Sequence, residues 1–506
     1  MNITLPERSR GAVQGSGPTE AADFTPAYPG YSSTVLLDRL RVSEYSYLDA
    51  GGHVYLDYGG AGLPARAQLA AHAKRIRDRC FGNPHSENPA SAASTDLIER
   101  ARLAVLAHFN APPEEYAVIF TPNATGACRL VGEAYPFGPR SRLVLTWDNH
   151  NSVNGIREFA RSRGAVTRYV PFCSPELRVD NDAIRQALTQ PGPLGAAWRA
   201  VRSGAAALGR RGLLAYPAQS NFSGVQHPLG WIQTAHENGY DVLLDAAAYV
   251  PSNRLDLSAV KPDFVPVSWY KVFGYPTGLG CLIARREALG RLRRPWFAGG
   301  SVSIAGVQAD WHAPGAAEAG FEDGTLSFLQ IPDLEVGLSW VNSIGIDLIH
   351  QRVMCLTGWL LDRLAALRHG NGEPMARIYG PTNTRDRGGA VAFNLLDPGG
   401  AVVDERAVAR DTAAAGISIR TGCFCNPGAI EGAFGLTKAD WRRALRGRAR
   451  TMDKNLDLLG LPSLALRASV GLASNIDDVE RFLAFVEATY RDRAVCTSGL
   501  APRQGC

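Results

Sequence analysis

The sequence predicts an α/β protein, with a large domain on a mostly parallel sheet and a smaller α/β domain after it. Three observations predict this. From Tyr116 to Ala284, short apolar runs alternate with helix-period stretches, the pattern of strands joined by crossover helices. Near Pro332 a helical region opens and leads to candidate strands at Gly389–Leu395, Ile417–Arg420 and Pro462–Ser469. The 506 residues suffice for one large and one small core.

Taken in order, residues 1–35 are rich in Gly, Pro and Ser without periodicity and read as a flexible N-terminal arm. The large domain spans 36–331. Its N-terminal segment, 36–110, carries amphipathic helices at Ala65–Arg79 and Ser94–Phe109. A stretch rich in Gly, Ala and Arg at 189–212 interrupts the alternation as an insertion. The small domain spans 332–490 and a tail covers 491–506.

Composition excludes several classes. The net charge is only +5 with 20% charged residues, and no basic stripe with interleaved aromatics suggests nucleic acid. The Arg-rich stretches Arg199–Arg211 and Arg442–Arg450 read as solvated surfaces. No apolar run of about 18 residues predicts a membrane span, and Met1–Arg10 lacks a signal peptide's apolar region. Nine cysteines, an odd number in a long chain, fit a reducing cytoplasm better than a disulfide framework. Cys423 and Cys425 have no second Cys/His cluster, so no metal is expected.

Four stretches carry chemistry. The apolar run Phe264–Val267 ends in Ser268-Trp269-Tyr270-Lys271, before a glycine-rich turn and the strand Leu279–Ala284. Desolvating such a lysine favours its neutral, nucleophilic form, suited to condensing with an aldehyde cofactor such as pyridoxal phosphate. The plain alternative is a strand-end lysine that reaches back to water. Upstream, the strand Asp241–Leu244 ends in Asp245, able to pair with a pyridinium nitrogen or simply to cap a helix. After the strand Tyr116–Phe120, Thr121-Pro122-Asn123-Ala124-Thr125-Gly126 offers N–H groups and hydroxyls for a phosphate, or an ordinary helix cap. After the strand Arg142–Thr146, His150 is placed to lie on a pyridine ring, or is a surface-loop histidine.

These stretches resemble, in order, the cofactor pocket of the class V aminotransferases, the group that contains cysteine desulfurases. Arg420-Thr421-Gly422-Cys423-Phe424-Cys425-Asn426-Pro427-Gly428 resembles their cysteine-bearing loop, and Leu466-Arg467-Ala468-Ser469 their carboxylate-binding segment. The likeness is greatest to the N-terminal domain of molybdenum cofactor sulfurases. It runs through Asn83-Pro84-His85-Ser86, Tyr216–Gly224, Tyr270–Gly280, Glu322–Phe328 and the Cys-Phe-Cys loop.

The resemblance implies the pyridoxal-phosphate-dependent transferase fold of the aspartate aminotransferase type, with 36–331 as the cofactor domain. It implies a cysteine desulfurase or sulfurtransferase that makes alanine from L-cysteine, or a related sulfur amino acid, and passes sulfur to an acceptor protein or cofactor. Lys271 would hold the cofactor and move the Cα proton, with Asp245 at the ring nitrogen and His150 stacked on the ring. Thr125, Gly126 and Ser268 would cradle the phosphate. Arg467 would bind the substrate carboxylate, Asn221 would orient substrate or the ring hydroxyl region, and Cys425 would take the sulfur. Ser301, with Ser303, would reach a neighbouring subunit's phosphate in a homodimer. Many desulfurases have glutamine three residues after the aspartate, where this chain has Ala248, so the ring-oxygen contact falls to Gln219 or is absent. The chain stops at Cys506, before the pterin-binding domain of eukaryotic sulfurases, which leaves the acceptor open. The other readings are a C–S lyase or aminotransferase of the same fold, and a catalytically inactive binding protein.

Overall fold

The computed structural model describes residues 20–84, 86–189, 212–446 and 451–503. Seven strands form the central sheet: β1 (Tyr116–Thr121), β2 (Arg142–Thr146), β3 (Val166–Val170), β4 (Gly212–Pro217), β5 (Tyr240–Asp245), β6 (Phe264–Ser268) and β7 (Gly280–Arg285). Their order is β1-β7-β6-β5-β4-β2-β3. β7 runs antiparallel to both its neighbours, and the other pairs are parallel. Successive residues enter different cores: Val118, Phe120, Val242 and Leu244 lie on one face, Ala117, Ile119, Leu143 and Leu243 on the other. Burial on both faces explains why these strands read as unbroken apolar runs. The parallel strands end along one edge, where ligands bind in open α/β sheets.

The smaller sheet, order β8-β9-β11-β10, comprises β8 (Ala376–Tyr379), β9 (Ala390–Leu395), β10 (Arg420–Gly422) and β11 (Ala465–Ser469), all antiparallel. The expected strand Ile417–Arg420 is two strands. Ile417–Ser418 pairs in parallel with Val54–Tyr55, whereas Arg420–Gly422 joins β11, so one segment serves two sheets.

Two further expectations are corrected. Residues 20–35 are not a flexible arm: Glu20–Ala27 is helical, Phe24 is 2% exposed, and Arg352 donates to Thr34 Oγ1 at 2.7 Å and pairs with Asp38 at 2.7 Å. Nor does all of 36–110 belong with the large domain, since Val54–Tyr55 pairs with Ile417–Ser418 and Asp57 bridges Ser469. Residues 1–19, the insertion apart from its ends, and 447–450 of the second Arg-rich stretch lie outside the described residues. The tail 491–503 is tied down by Arg503, which pairs with Asp404 and Asp453. Among the described residues, no helix is long and apolar enough to cross a membrane.

Candidate active site

Four chain turns at the strand ends build the site. After β6 the chain enters a one-turn helix directly (Trp269–Phe273), so Lys271 sits in a helical turn rather than at the strand end. Fully buried Trp269 stacks on Phe273 with ring centroids 5.8 Å apart, which fixes that turn. Gly274 closes it at φ 77°, where a Cβ would strike the Leu63–Pro64 backbone at 2.3–2.4 Å. Asp245 ends β5 at 9% exposure, and its Oδ1 accepts from the Ala247 N–H at 3.0 Å.

β1 leads into a helix (Ala124–Ala134) whose cap is Asn123, not Thr125: Asn123 Oδ1 accepts from the Gly126 N–H at 2.9 Å. Ala124 N–H donates to Ser268 Oγ at 3.1 Å, which joins the helix start to the end of β6. Thr125 Oγ1 lies 2.7 Å from Ser152 Oγ, and Ser152 Oγ lies 2.8 Å from His150 Nδ1. His150 also caps the short helix Asn151–Asn154 by accepting from the Ser152 N–H. Thr125, Ser152, His150 and Ser268 are therefore one continuous polar patch.

Burial pulls the Lys271 amine below its ordinary value; Asp245 opposes this, and Arg467 and Arg420 add to it. Burial also lowers His150, against Asp245 and with help from the Lys271 and Arg467 cations. The structure thus brings Lys271, Asp245, His150 and Arg467 into one electrostatic neighbourhood. Both shifts run toward the uncharged amine and the uncharged imidazole.

Arg467, on β11, is 2% exposed and held from two sides. Its Nη2 donates to Asp57 Oδ1 at 3.1 Å and its Nη1 to the Asn221 carbonyl at 2.8 Å. Its Nε–H is buried with no acceptor. Arg420 donates to the other Asp57 oxygen at 2.6 Å. Gly59 and Gly60 follow Asp57 because a Cβ there would meet these guanidinium groups at 2.9 and 2.3 Å. Burial lowers the Arg467 pKa and Asp57 opposes that shift. The unpaired Nε–H in a dry site suits an incoming carboxylate.

The cysteine loop lies against this arginine. The Phe424 ring centroid is 4.8 Å from the Arg467 guanidinium carbon. Phe424 and Cys425 both have left-handed backbone, φ 54° and 53°, a conformation costing non-glycine residues roughly 1–2 kcal/mol each. Asn221 Nδ2 donates to the Phe424 carbonyl at 2.8 Å, and Asn426 Nδ2 donates to Asn221 Oδ1 and to the Asp148 carbonyl. Asn151 N–H donates to the Cys425 carbonyl at 2.7 Å. Cys425 is a half-buried free thiol. Cys423, two residues earlier, is buried at 9% exposure.

Three residues with expected roles are hydrogen-bonded by the protein itself. Asn221 lines the cleft beside Lys271, but its carboxamide is engaged by the cysteine loop rather than turned to a ring. Gln219 also lines the cleft, yet its Nε2 donates to the Ala248 carbonyl and its Oε1 accepts from Gln226, so protein groups already hold it. Ser301, expected to act at a neighbouring subunit, is 2% exposed, and its hydroxyl exchanges hydrogen bonds with the Ala298 backbone. The sequence reading missed Asp57 altogether. Its signal was a carboxylate that ends the apolar run Val54–Leu56, two residues before the pair Gly59-Gly60.

The donor set fits the pyridoxal phosphate implied by the sequence resemblance: a desolvated amine, a strand-end carboxylate, a neutral histidine, and hydroxyls beside a helix N-terminus. Among the described residues, no group of His, Cys, Asp and Glu is arranged to hold a metal ion.

The aminotransferase class-V family model matches residues 54–193 and 206–482. The chain belongs to that family. Two curated relatives are molybdenum cofactor sulfurases. That of Solanum lycopersicum is 35% identical over 497 residues, covering 94% of this chain and 60% of its own length. That of Homo sapiens is 36% identical over 476 residues, covering 89% and 51%. The chain therefore spans half to three-fifths of the relatives it matches. Among solved structures, a cysteine desulfurase from Thermococcus onnurineus NA1 superposes with TM-score 0.70 at 21% identity, covering 89% of this chain and 97% of its own. The cysteine desulfurase CsdA of Escherichia coli gives 0.66 at 21% identity, covering 89% and 98%. These two likenesses establish the fold of this class-V member.

Proposed function

We propose that this protein is a pyridoxal-phosphate-dependent cysteine desulfurase or sulfurtransferase. It converts L-cysteine to alanine, holds the sulfur as a persulfide on Cys425, and passes it to an acceptor, the molybdenum cofactor or a partner protein. The observation that carries this reading is a free thiol, Cys425, next to Phe424, whose ring packs on Arg467, a cation that acts electrostatically on Lys271. The sulfurase relatives support the acceptor class.

When bound, pyridoxal phosphate supplies an aldehyde for an amine and a ring that accepts the electron pair released at Cα. The Thr125 and Ser268 hydroxyls and the helix start would hold its phosphate, and Asp245 would keep a proton on its ring nitrogen. Arg467 orients the substrate carboxylate through Nε–H and its remaining in-plane donors. Lys271 Nζ takes the Cα proton and returns it. The Cys425 thiolate attacks the substrate sulfur: an S–S bond forms and the Cβ–S bond breaks with its electron pair left on carbon. That carbon takes a proton to give alanine.

The test is incubation with L-cysteine, with alanine quantified and Cys425 examined by peptide mass spectrometry. Wild-type protein is expected to release alanine and gain one sulfur on Cys425. Lys271→Ala is expected to lose visible cofactor absorbance and all alanine release. Unchanged alanine and sulfide production in Cys425→Ala would remove the persulfide role and favour a C–S lyase.

The same reading takes the protein as a homodimer in the cytoplasm. The apolar side chains exposed around one hairpin, Trp296, Phe297, Ile304, Val307 and Trp311, support association. Sedimentation of the purified protein and fractionation of cells check the two statements.

A further inference from the structure

Arg467, Asn221 and Phe424 form a closed circuit. Arg467 Nη1 donates to the Asn221 carbonyl at 2.8 Å, Asn221 Nδ2 donates to the Phe424 carbonyl at 2.8 Å, and the Phe424 ring returns to the guanidinium at 4.8 Å. The ring also packs on Phe222, with centroids 5.5 Å apart and a tilted arrangement. The next residue is the free thiol, and both Phe424 and Cys425 hold left-handed backbone that needs outside anchors. The guanidinium carbon lies over the Phe424 ring, a contact that consumes no hydrogen-bond donor. Arg467 Nε–H is buried without a hydrogen-bond partner.

We propose that Phe424 is a positioning residue that couples the carboxylate-binding arginine to the sulfur-accepting thiol. Its ring fixes the plane of Arg467, and its backbone fixes where Cys425 stands relative to that plane. A carboxylate seated on the guanidinium then presents its β-sulfur to a thiol whose position is set by the same side chain. The inference rests on the desulfurase reading for its substrate, while the coupling itself concerns only residues of this chain.

The test uses the cofactor-loaded protein and the variants Phe424→Ala, Phe424→Leu and Phe424→Tyr. One readout, taken without substrate, is the rate of Cys425 alkylation by iodoacetamide, followed by peptide mass spectrometry. The other is KM and kcat for alanine release from L-cysteine. Phe424→Ala and Phe424→Leu are expected to speed alkylation severalfold and to raise KM about tenfold. Phe424→Tyr, which keeps the ring face, is expected to stay near wild type in both. Alkylation in Phe424→Leu equal to wild type overturns the proposal, because apolar filling would then suffice. If Phe424→Ala fails to fold, the Leu and Tyr pair decides. Arg467→Lys should speed alkylation as Phe424→Ala does, with no further increase in the double variant; additive effects also overturn the coupling. A wild type that releases no alanine ends the desulfurase reading, and the alkylation series still judges the coupling.

Discussion

Asp57 neutralises two arginines at once, Arg467 at 3.1 Å and Arg420 at 2.6 Å, in a place nearly closed to water. Leaving a buried guanidinium without its counter-charge typically costs about 3–5 kcal/mol. Asp57→Asn is therefore expected to lower unfolding free energy by roughly 3 kcal/mol in urea titrations, partly offset by the exposed side of Arg420. His150 gives a pH prediction. Its folded pKa lies below the ordinary 6.5, so as pH falls through that window the unfolded chain takes up a proton that the folded chain refuses. Stability is thus expected to drop on acidification below about pH 6.5, and less steeply in His150→Gln, when urea midpoints are compared across pH. Lys271, Asp245, His150 and Arg467 were legible in the sequence because each lies at, or just beyond, a recognisable apolar strand. Asp57 and Phe424 were not. Their roles depend on Arg467, which is 410 residues from Asp57, and no local pattern encodes a contact at that separation.

At the scale of elements, the site depends on how strands are terminated. Asn123 caps the helix Ala124–Ala134 through the Gly126 N–H, which shapes the expected phosphate cradle. Asn123→Ala is expected to cost about 1 kcal/mol, read as a lower melting temperature, and to weaken cofactor retention on dialysis. The central strands were legible because burial on both faces writes them as apolar runs. β3 escaped notice for the opposite reason: it is an edge strand, with Val166 exposed and Thr167, Arg168 and Tyr169 only half-buried. Lys271 was expected at a strand end, yet the aromatic stack of Trp269 on Phe273 makes helix continuation favourable there. The split of Ile417–Arg420 was illegible because both halves look like strand, and only their partners differ.

Across the whole molecule, the N-terminal segment is fastened to elements far along the chain. Arg352 is fully buried and joins Asp38, Thr34 and Tyr31, and Arg41 joins Asp478 at 2.7 Å. Arg352→Leu is expected to destabilise the protein by about 1–3 kcal/mol, measured by urea unfolding, because Thr34 loses a buried donor while Asp38 stays partly solvated. The domain boundaries drawn from composition failed here, since Gly, Pro and Ser content reports local flexibility and not distant docking. The pairing of Val54–Tyr55 with Ile417–Ser418 also bears on synthesis. A ribosome delivers the first of these strands long before the second exists. The growing polypeptide must therefore carry an unpaired edge through most of its translation, a period in which chaperone capture protects it from self-association.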